Sequence, residues 1–400
     1  MRTPYCPYCY HELPAQSVMY RCSGRIGRGG QRCETAIDPL LAAYTGDTTP
    51  KFPAFSARGR RRGHPACPQC GEVSFQRICG RCHNELPALF GEADTRLIAL
   101  VGAKESGKTV YMTVLLHELQ NRVGEQFGLS VMGADDHTKD MFQEEYEKRL
   151  YDQGVLVEAT APARADLNRR PFVFGISLTQ RKWGVERLDR SLFSFFDTAG
   201  EDLRTKESVE RNVRYLTAAD GIVLMLDPLQ MRAARSLAEP GAQLPTEPRA
   251  PDNPANVLAR ITELLHGALR TGRRGLIGKP IAVVFSKLDA LDGTLPEDSV
   301  LLRDSPDREP LFDEADSAAV DREVRGLLAH WHGSGMETVL ARNYETFRFF
   351  GVTALGSSPV RDDKGTRVSG YGVQSRRVQD PFLWLLQQFG TISKKKAQER

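Results

Sequence analysis

The stretch RLIALVGAKESGKTVYMTVLLHEL, from Arg96 to Leu119, constrains the fold more than any other part of the chain. Leu97 to Val101 is a short apolar run of buried-strand length. Gly102-Ala103-Lys104-Glu105-Ser106-Gly107-Lys108-Thr109 follows and fits the spacing GxxxxGK[ST]. Val110, Val114, Leu115 and Leu119 then recur on one face of a helix. In a strand–glycine loop–helix unit, the loop amides and the helix N-terminus point at phosphate oxygens. Lys108 would neutralise charge on the outer two phosphates, and the Thr109 hydroxyl would bind Mg2+. A glycine turn without ligand shares the spacing but lacks the flanking strand and helix.

Three later segments extend the site. SLFSFF runs into Asp197-Thr198-Ala199-Gly200. An acidic residue ending a strand suits Mg2+, and the Gly200 amide suits the terminal phosphate. PIAVVFSKLDAL carries an apolar strand, Ile281 to Phe285, ending in Ser286-Lys287-Leu288-Asp289. The Asp289 carboxylate can accept two hydrogen bonds from guanine, a donor pair that adenine lacks. The Lys287 stem would lie along the base. FRFFGVTALGSS ends a further strand in Thr353-Ala354-Leu355, where an amide would serve guanine O6.

The motifs GAKESGKT, DTAG, SKLD and TAL stand in one order, each at a strand end, and together resemble a Ras-like GTPase of the TRAFAC class from Arg96 to Gly390. The resemblance implies an α/β, three-layer P-loop fold: a mostly parallel central sheet with helices on both faces. It implies GTP or GDP and Mg2+ as ligands. The phosphate and base contacts would come from Gly102, Lys104, Glu105, Ser106, Gly107, Lys108, Thr109, Val110, Gly200, Ser286, Lys287, Asp289, Thr353, Ala354 and Leu355. Phe172–Thr179 and Leu192–Phe196 would form the family's antiparallel pair, and Gly221–Leu226 another strand. Helices are expected at 137–152, at 203–219, at 255–270 after the Asn253-Pro254 cap, through Val320, Val324, Leu327 and Trp331, and from Asp380-Pro381.

Four departures touch the chemistry. Ser286 stands where the family has Asn, which steadies the phosphate loop. Lys104 stands where many relatives have Gly; it would crowd an arginine supplied in trans, or neutralise transition-state charge itself. Thr160 is the chosen switch threonine for Mg2+, with Thr138 as the alternative, and Arg164, Arg169 and Arg170 follow. Glu201 replaces the Gln that orients the attacking water. Ionised Glu only accepts hydrogen bonds and repels the triphosphate. Catalytic roles therefore fall to Lys108, Glu201, Thr160 and Lys104, and Mg2+ to Thr109, Asp197 and Thr160, with slow hydrolysis that a partner raises.

All eight cysteines lie in the first 82 residues. Cys67-Pro-Gln-Cys70 and Cys79-Gly-Arg-Cys82 are two CxxC turns, each able to place two sulfurs on one metal. Cys6-Pro-Tyr-Cys9, Cys22 and Cys33 make a looser second group, with His11 as a competing ligand. The expectation is one zinc ion per group: Cys6, Cys9, Cys22 and Cys33 on one, Cys67, Cys70, Cys79 and Cys82 on the other. His11, His64 and His83 read as exposed polar residues. The domains expected are a zinc-ribbon-like module at 1–44, a linker at 45–66 carrying RGRRRGH, a second module at 67–92, the GTPase domain at 93–391, and a basic tail at 392–400. Insertions at 228–254 and 291–313 read as surface loops. Zinc ribbons ahead of such a domain resemble the bacterial double-GTPase group of conflict and signalling systems, which implies regulatory or effector proteins and a second GTPase as partners.

Composition excludes little beyond this. The chain has 400 residues, 40% of them hydrophobic, enough for a sizeable core. Its net charge of +3 does not argue for nucleic acid. The first 90 residues hold twelve Lys and Arg against six Asp and Glu, but two zinc tetrathiolates would cut that excess to about +2. No apolar run reaches the roughly eighteen residues of a membrane span, and no signal region opens the chain. A cytoplasmic protein without membrane contact is expected, with reduced thiols that favour metal over disulfide. Two rival readings stay open: a GTP-binding scaffold that does not hydrolyse, and a zinc-bearing P-loop ATPase acting on nucleic acid.

Overall fold

The structure, a computed structural model, describes residues 3–27, 30–57, 64–88, 90–91, 96–156, 171–182, 185–195, 213–245, 252–269, 275–306, 311–362 and 365–395. Three short strands near the N-terminus form one antiparallel sheet. β1 (Val18–Arg21) lies between β2 (Ala54–Ser56) and β3 (Arg77–Cys79), with Met19 opposite Ser56 and Val18 opposite Cys79. This sheet differs from the expected pair of modules. β2 falls inside the span read as linker, and β1 and β3 come from what read as separate ribbons.

The central sheet begins at β4 (Ile98–Gly102). It pairs in parallel with β8 (Gly221–Leu226), β8 with β9 (Ile281–Phe285), and β9 with β11 (Phe347–Gly351). Three of the four strands are apolar along their length, β11 carrying Arg348; Gly221–Leu226 and Ile281–Phe285 are buried at every position, as both covered faces of a parallel sheet require. The carboxyl ends of all four strands therefore meet at one edge, where open α/β sheets bind ligands.

A second sheet is antiparallel: β5 (Leu129–Gly133), β6 (Phe172–Lys182) and β7 (Val185–Phe195). Phe172 faces Phe195, and Leu129 faces Leu178. The expected pair is present and longer than predicted; β5 joins it unforeseen. β5 and the segment Phe142–Glu147 cover the helix Lys108–Gln120. That helix is consequently buried around most of its girth, including Tyr111, Met112, Leu115 and Leu116, rather than on one stripe.

Other expectations align closely. The helix Pro254–Ala268 starts with proline in its first turn, and Asn253 accepts from the Ala255 amide at 3.1 Å. Helices Glu314–His330 and Asp380–Gln388 bury Val320 and Val324, and Phe382 and Trp384. Of the helix expected at 203–219, residues 213–218 are helical and 203–212 lie outside the described residues. The first insertion is not all surface: Pro228, Leu229, Gln230, Met231 and Ala234 are buried. Small strands β10 (Leu311–Phe312) and β14 (Ser393–Lys394) pair in parallel, and β12 (Val360–Asp362) with β13 (Gly365–Arg367) antiparallel. No helix among the described residues is long and apolar enough to cross a membrane.

Candidate nucleotide and metal sites

The glycine loop leaves β4 at Gly102 and enters the helix at Lys108. A Cβ on Gly102 would stand 2.3 Å from the Met225 carbonyl oxygen of β8, so only glycine fits this approach. Gly107 caps the helix at φ +81°, a conformation that L side chains rarely adopt. Ser106 is fully buried, and its hydroxyl donates to the Ala103 carbonyl at 2.8 Å. The Lys108 ammonium donates to the Ala103 and Gly102 carbonyls at 2.7 and 3.1 Å. The ammonium thus curls back over the loop that precedes its own helix. Lys104, Thr109 and Val110 are half-buried, and Glu105 is exposed.

The SKLD segment meets this loop directly. The Ser286 hydroxyl donates to the Ser106 carbonyl at 2.8 Å, with the Leu226 carbonyl at 3.2 Å. A serine in place of asparagine therefore still ties the base segment to the phosphate loop. Lys287, at φ +56°, extends to Asp227 at 2.7 Å. Asp227 follows β8 and caps the next turn at the Leu229 amide, a role that sequence reading missed. Burial pushes the Asp289 carboxyl up to about 6, and nearby Asp292 adds to the effect, while Arg376 and Lys287 oppose it.

Thr353-Ala354-Leu355 lies at the end of the neighbouring strand. Thr353 exchanges backbone hydrogen bonds with Arg376, at 3.1 and 2.8 Å, and the Leu355 carbonyl accepts from Gln374 at 2.9 Å. The Arg376 guanidinium pairs with Asp292. Residues 374–376, far along the chain, thus back the TAL and SKLD segments; no local pattern marks them. Thr160, Asp197, Gly200 and Glu201 lie outside the described residues, as do Arg164, Arg169 and Arg170. Thr138 is fully buried at the helix Asp136–Met141, and its hydroxyl accepts from the Val173 amide at 3.3 Å.

The cysteines assemble differently from the expectation. Cys6 and Cys9 group with Cys79 and Cys82; Cys22 and Cys33 group with Cys67 and Cys70. The predicted sets, Cys6/Cys9/Cys22/Cys33 and Cys67/Cys70/Cys79/Cys82, are therefore corrected to an interleaved pair. The reason is β1: pairing Val18 with Cys79 returns the third knuckle to the first, while Cys22, just beyond β1, falls beside Cys70. His11 belongs to neither group. His83 is no exposed residue: its Nδ1 lies 2.8 Å from Asp38, which also holds the buried Arg21 at 2.7 Å.

Sulfur separations of 3.9 and 3.8 Å in the first group, and 3.6 and 3.7 Å in the second, match the edge of a tetrahedron. Zn–S bonds of about 2.3 Å give S···S near 3.8 Å. In each CxxC turn the first cysteine's amide donates to the carbonyl five residues on, that of His11, Glu72 or Asn84. The residue after the second cysteine takes positive φ: Tyr10, Gly71 and His83. The Gly24 and Arg81 amides donate to the Cys22 and Cys79 sulfurs at 3.4 Å. Burial pushes the Cys6 thiol well up, so a cation is what would let this set ionise. Both groups fit zinc.

Residues 96–343, more than half of the chain, match the family described as DO-GTPase2, Double-GTPase 2. The chain belongs to this double-GTPase family. It is thus a GTP-binding protein, and its family implies GTP or GDP with Mg2+. A relative in Mycolicibacterium smegmatis (strain ATCC 700084 / mc(2)155), named "Putative ESX-1 scaffolding and assembly protein SaeC", is 26% identical over 97% of this chain and 99% of its own length. Among solved structures, Sup35 with GDP aligns at a TM-score of 0.24 and 16% identity, over 70% of this chain and 41% of that chain. The S. cerevisiae Ski7 GTPase-like domain with GTP aligns at 0.31 and 10%, over 76% and 51%. The chain thus spans about half or less of these two structures.

Proposed function

We propose that this double-GTPase is a GTP-binding switch with slow, partner-stimulated hydrolysis, and that its cysteine module docks partner proteins. The observation that carries the reading is the Ser286–Ser106 hydrogen bond at 2.8 Å. It joins the segment suited to guanine to the loop suited to phosphates at the shared edge of the parallel sheet. In this reading Asp289 selects guanine and Lys287 shields one face of the base. The amides around Ala354 meet O6. Lys108 and the loop amides hold the phosphates, and Gly200 meets the terminal one. Thr109, Asp197 and Thr160 hold Mg2+. The relative's name, which speaks of scaffolding and assembly, supports protein partners over nucleic acid.

The test is nucleotide competition against a fluorescent GDP analogue on the full chain. GTP and GDP should displace it at least about tenfold better than ATP, because an unpaired buried carboxylate costs more than about 1.4 kcal/mol. Equal displacement by ATP would sink the guanine reading and revive the ATPase.

A second reading, a scaffold that binds GTP without cutting it, is favoured by Glu201 and by the relative's name. Single-turnover hydrolysis separates the two. Unassisted turnover should fall on the order of 10⁻⁴ to 10⁻² per second. Glu201→Gln restores a donor and removes a repelling charge, so it should raise the rate. A fall, matched by Lys104→Ala, would instead identify Glu201 as a base. No GDP from the wild type, with or without partners, would establish the scaffold.

A further inference from the structure

Among the described residues, the cysteine module meets the GTPase domain at a joint built around Ser194 of β7. Ser194 is fully buried. Its hydroxyl donates to the Pro7 carbonyl at 3.1 Å, inside the Cys6-Pro7-Tyr8-Cys9 turn. A serine has one hydrogen to give, so Tyr10, 2.9 Å away, is the donor to the serine oxygen. The carbonyl of the same Ser194 accepts from the Tyr215 hydroxyl at 2.7 Å, and that hydroxyl accepts from the Leu100 amide of β4 at 2.9 Å. The Tyr10 and Tyr215 rings lie 4.8 Å apart. A phenol oxygen thus bridges β4 and β7 where neighbouring strands would ordinarily bond directly.

The apolar surroundings repeat the connection. Cys6, Cys9, Cys79 and Cys82 pack in one buried cluster with Val173 of β6 and Leu192 of β7. Tyr8 donates to Asp135 at 2.6 Å. Among the described residues, the hydrophobic cluster of the other four cysteines takes in Phe55, Tyr20 and Phe52, all within the module. One cysteine site is built against the antiparallel sheet whose strand β7 leads, in sequence, to Asp197. The other is not.

We propose that Tyr10, Ser194 and Tyr215 are positioning residues that set β7 against the phosphate-loop strand, so that metal at Cys6/Cys9/Cys79/Cys82 governs Mg2+–GTP affinity while metal at the outer site does not. The inference rests on the switch reading above. Buried hydroxyl bonds between stiff elements fix relative strand position, and displacement of either strand end separates ligands meant to share one ion.

The test uses the full chain with Tyr10→Phe, Ser194→Ala and Tyr215→Phe. Three quantities are read: zinc per chain, affinity for a fluorescent GTP analogue with Mg2+, and affinity for GDP in EDTA. Each variant should keep two zinc ions and bind GDP in EDTA like the wild type, yet lose about threefold or more with Mg2+–GTP, the worth of one buried hydrogen bond. General loosening would weaken both nucleotides together. Cys6→Ser with Cys9→Ser should lose one zinc and show the same split; Cys67→Ser with Cys70→Ser should lose one zinc and show none. If the inner double variant does not fold, the hydroxyl variants decide. Wild-type Mg2+–GTP binding that all three leave unchanged overturns this inference alone. A wild type that binds no GTP overturns it together with the switch.

Discussion

At the scale of single residues, Asp289 makes the most exposed commitment. Burial holds its carboxyl at about 6 in the unliganded protein, above the ordinary 3.8. In the proposed guanine reading, the ionised form is the one that accepts from the base, so a proton must leave before the base can bind. The sign follows: affinity for GDP should be flat above about pH 7 and fall up to about tenfold per unit below about pH 6. The free protein should behave oppositely, losing stability as pH rises between the ordinary value and the raised one, because the fold prefers the neutral carboxyl. Asp289→Asn removes both dependences and shifts preference towards xanthine nucleotides. Ionisation of the nucleotide phosphates is common to both proteins, so isothermal titration of wild type and variant across that range isolates the carboxyl. Parallel curves would exclude Asp289 from base recognition. The place of this residue just beyond β9 was legible because its motif follows an apolar strand at fixed spacing. Its neighbours were not: Arg376 and Asp292 reach the site through tertiary contact alone, and Asp227 looks like an ordinary turn residue until Lys287 reaches it.

At the scale of elements, apolar runs of four to six residues located the parallel strands to within about one residue, since a strand covered on both faces has little else to signal. β5 escaped because GLSVMG is short and bracketed by glycines. The cysteine grouping escaped for a different reason. Each CxxC turn supplies half a tetrahedron whatever its complement, and the complement is chosen by β1, a strand of four residues whose pairing no local pattern encodes. Strand proximity also fixes the glycine loop. Gly102→Ala places a methyl against the Met225 carbonyl, so β4 or β8 must shift. The expected outcome is a loss of about 1–3 kcal/mol in urea unfolding, the ordinary cost of overpacking, together with weaker GDP binding. Wild-type stability and affinity in this variant would mean that the two strands are farther apart than described.

At the scale of the whole molecule, the two cysteine sites differ in what they hold together. The outer set sits in a small cluster of its own, whereas the inner set shares its cluster with β6 and β7. Zinc supplies much of the folding free energy of a small module that buries little surface. Removing the outer metal should therefore melt structure locally, and removing the inner metal should be felt across the joint. Differential scanning calorimetry on Cys67→Ser with Cys70→Ser should show the main transition moved by no more than about 2 °C. On Cys6→Ser with Cys9→Ser it should fall by about 5–10 °C, which corresponds to roughly 2–4 kcal/mol for a domain of this size. Mass spectrometry under native conditions should count two zinc ions in the wild type and one in each variant. The interleaved grouping sharpens the expectation. Had each half of the module closed its own site, Cys67→Ser with Cys70→Ser would have released Cys79 and Cys82 as well, and with them the contact to Val173 and Leu192. A large fall in the main transition for that variant, equal to the fall for the inner pair, would restore the sequential grouping and overturn the interleaved one.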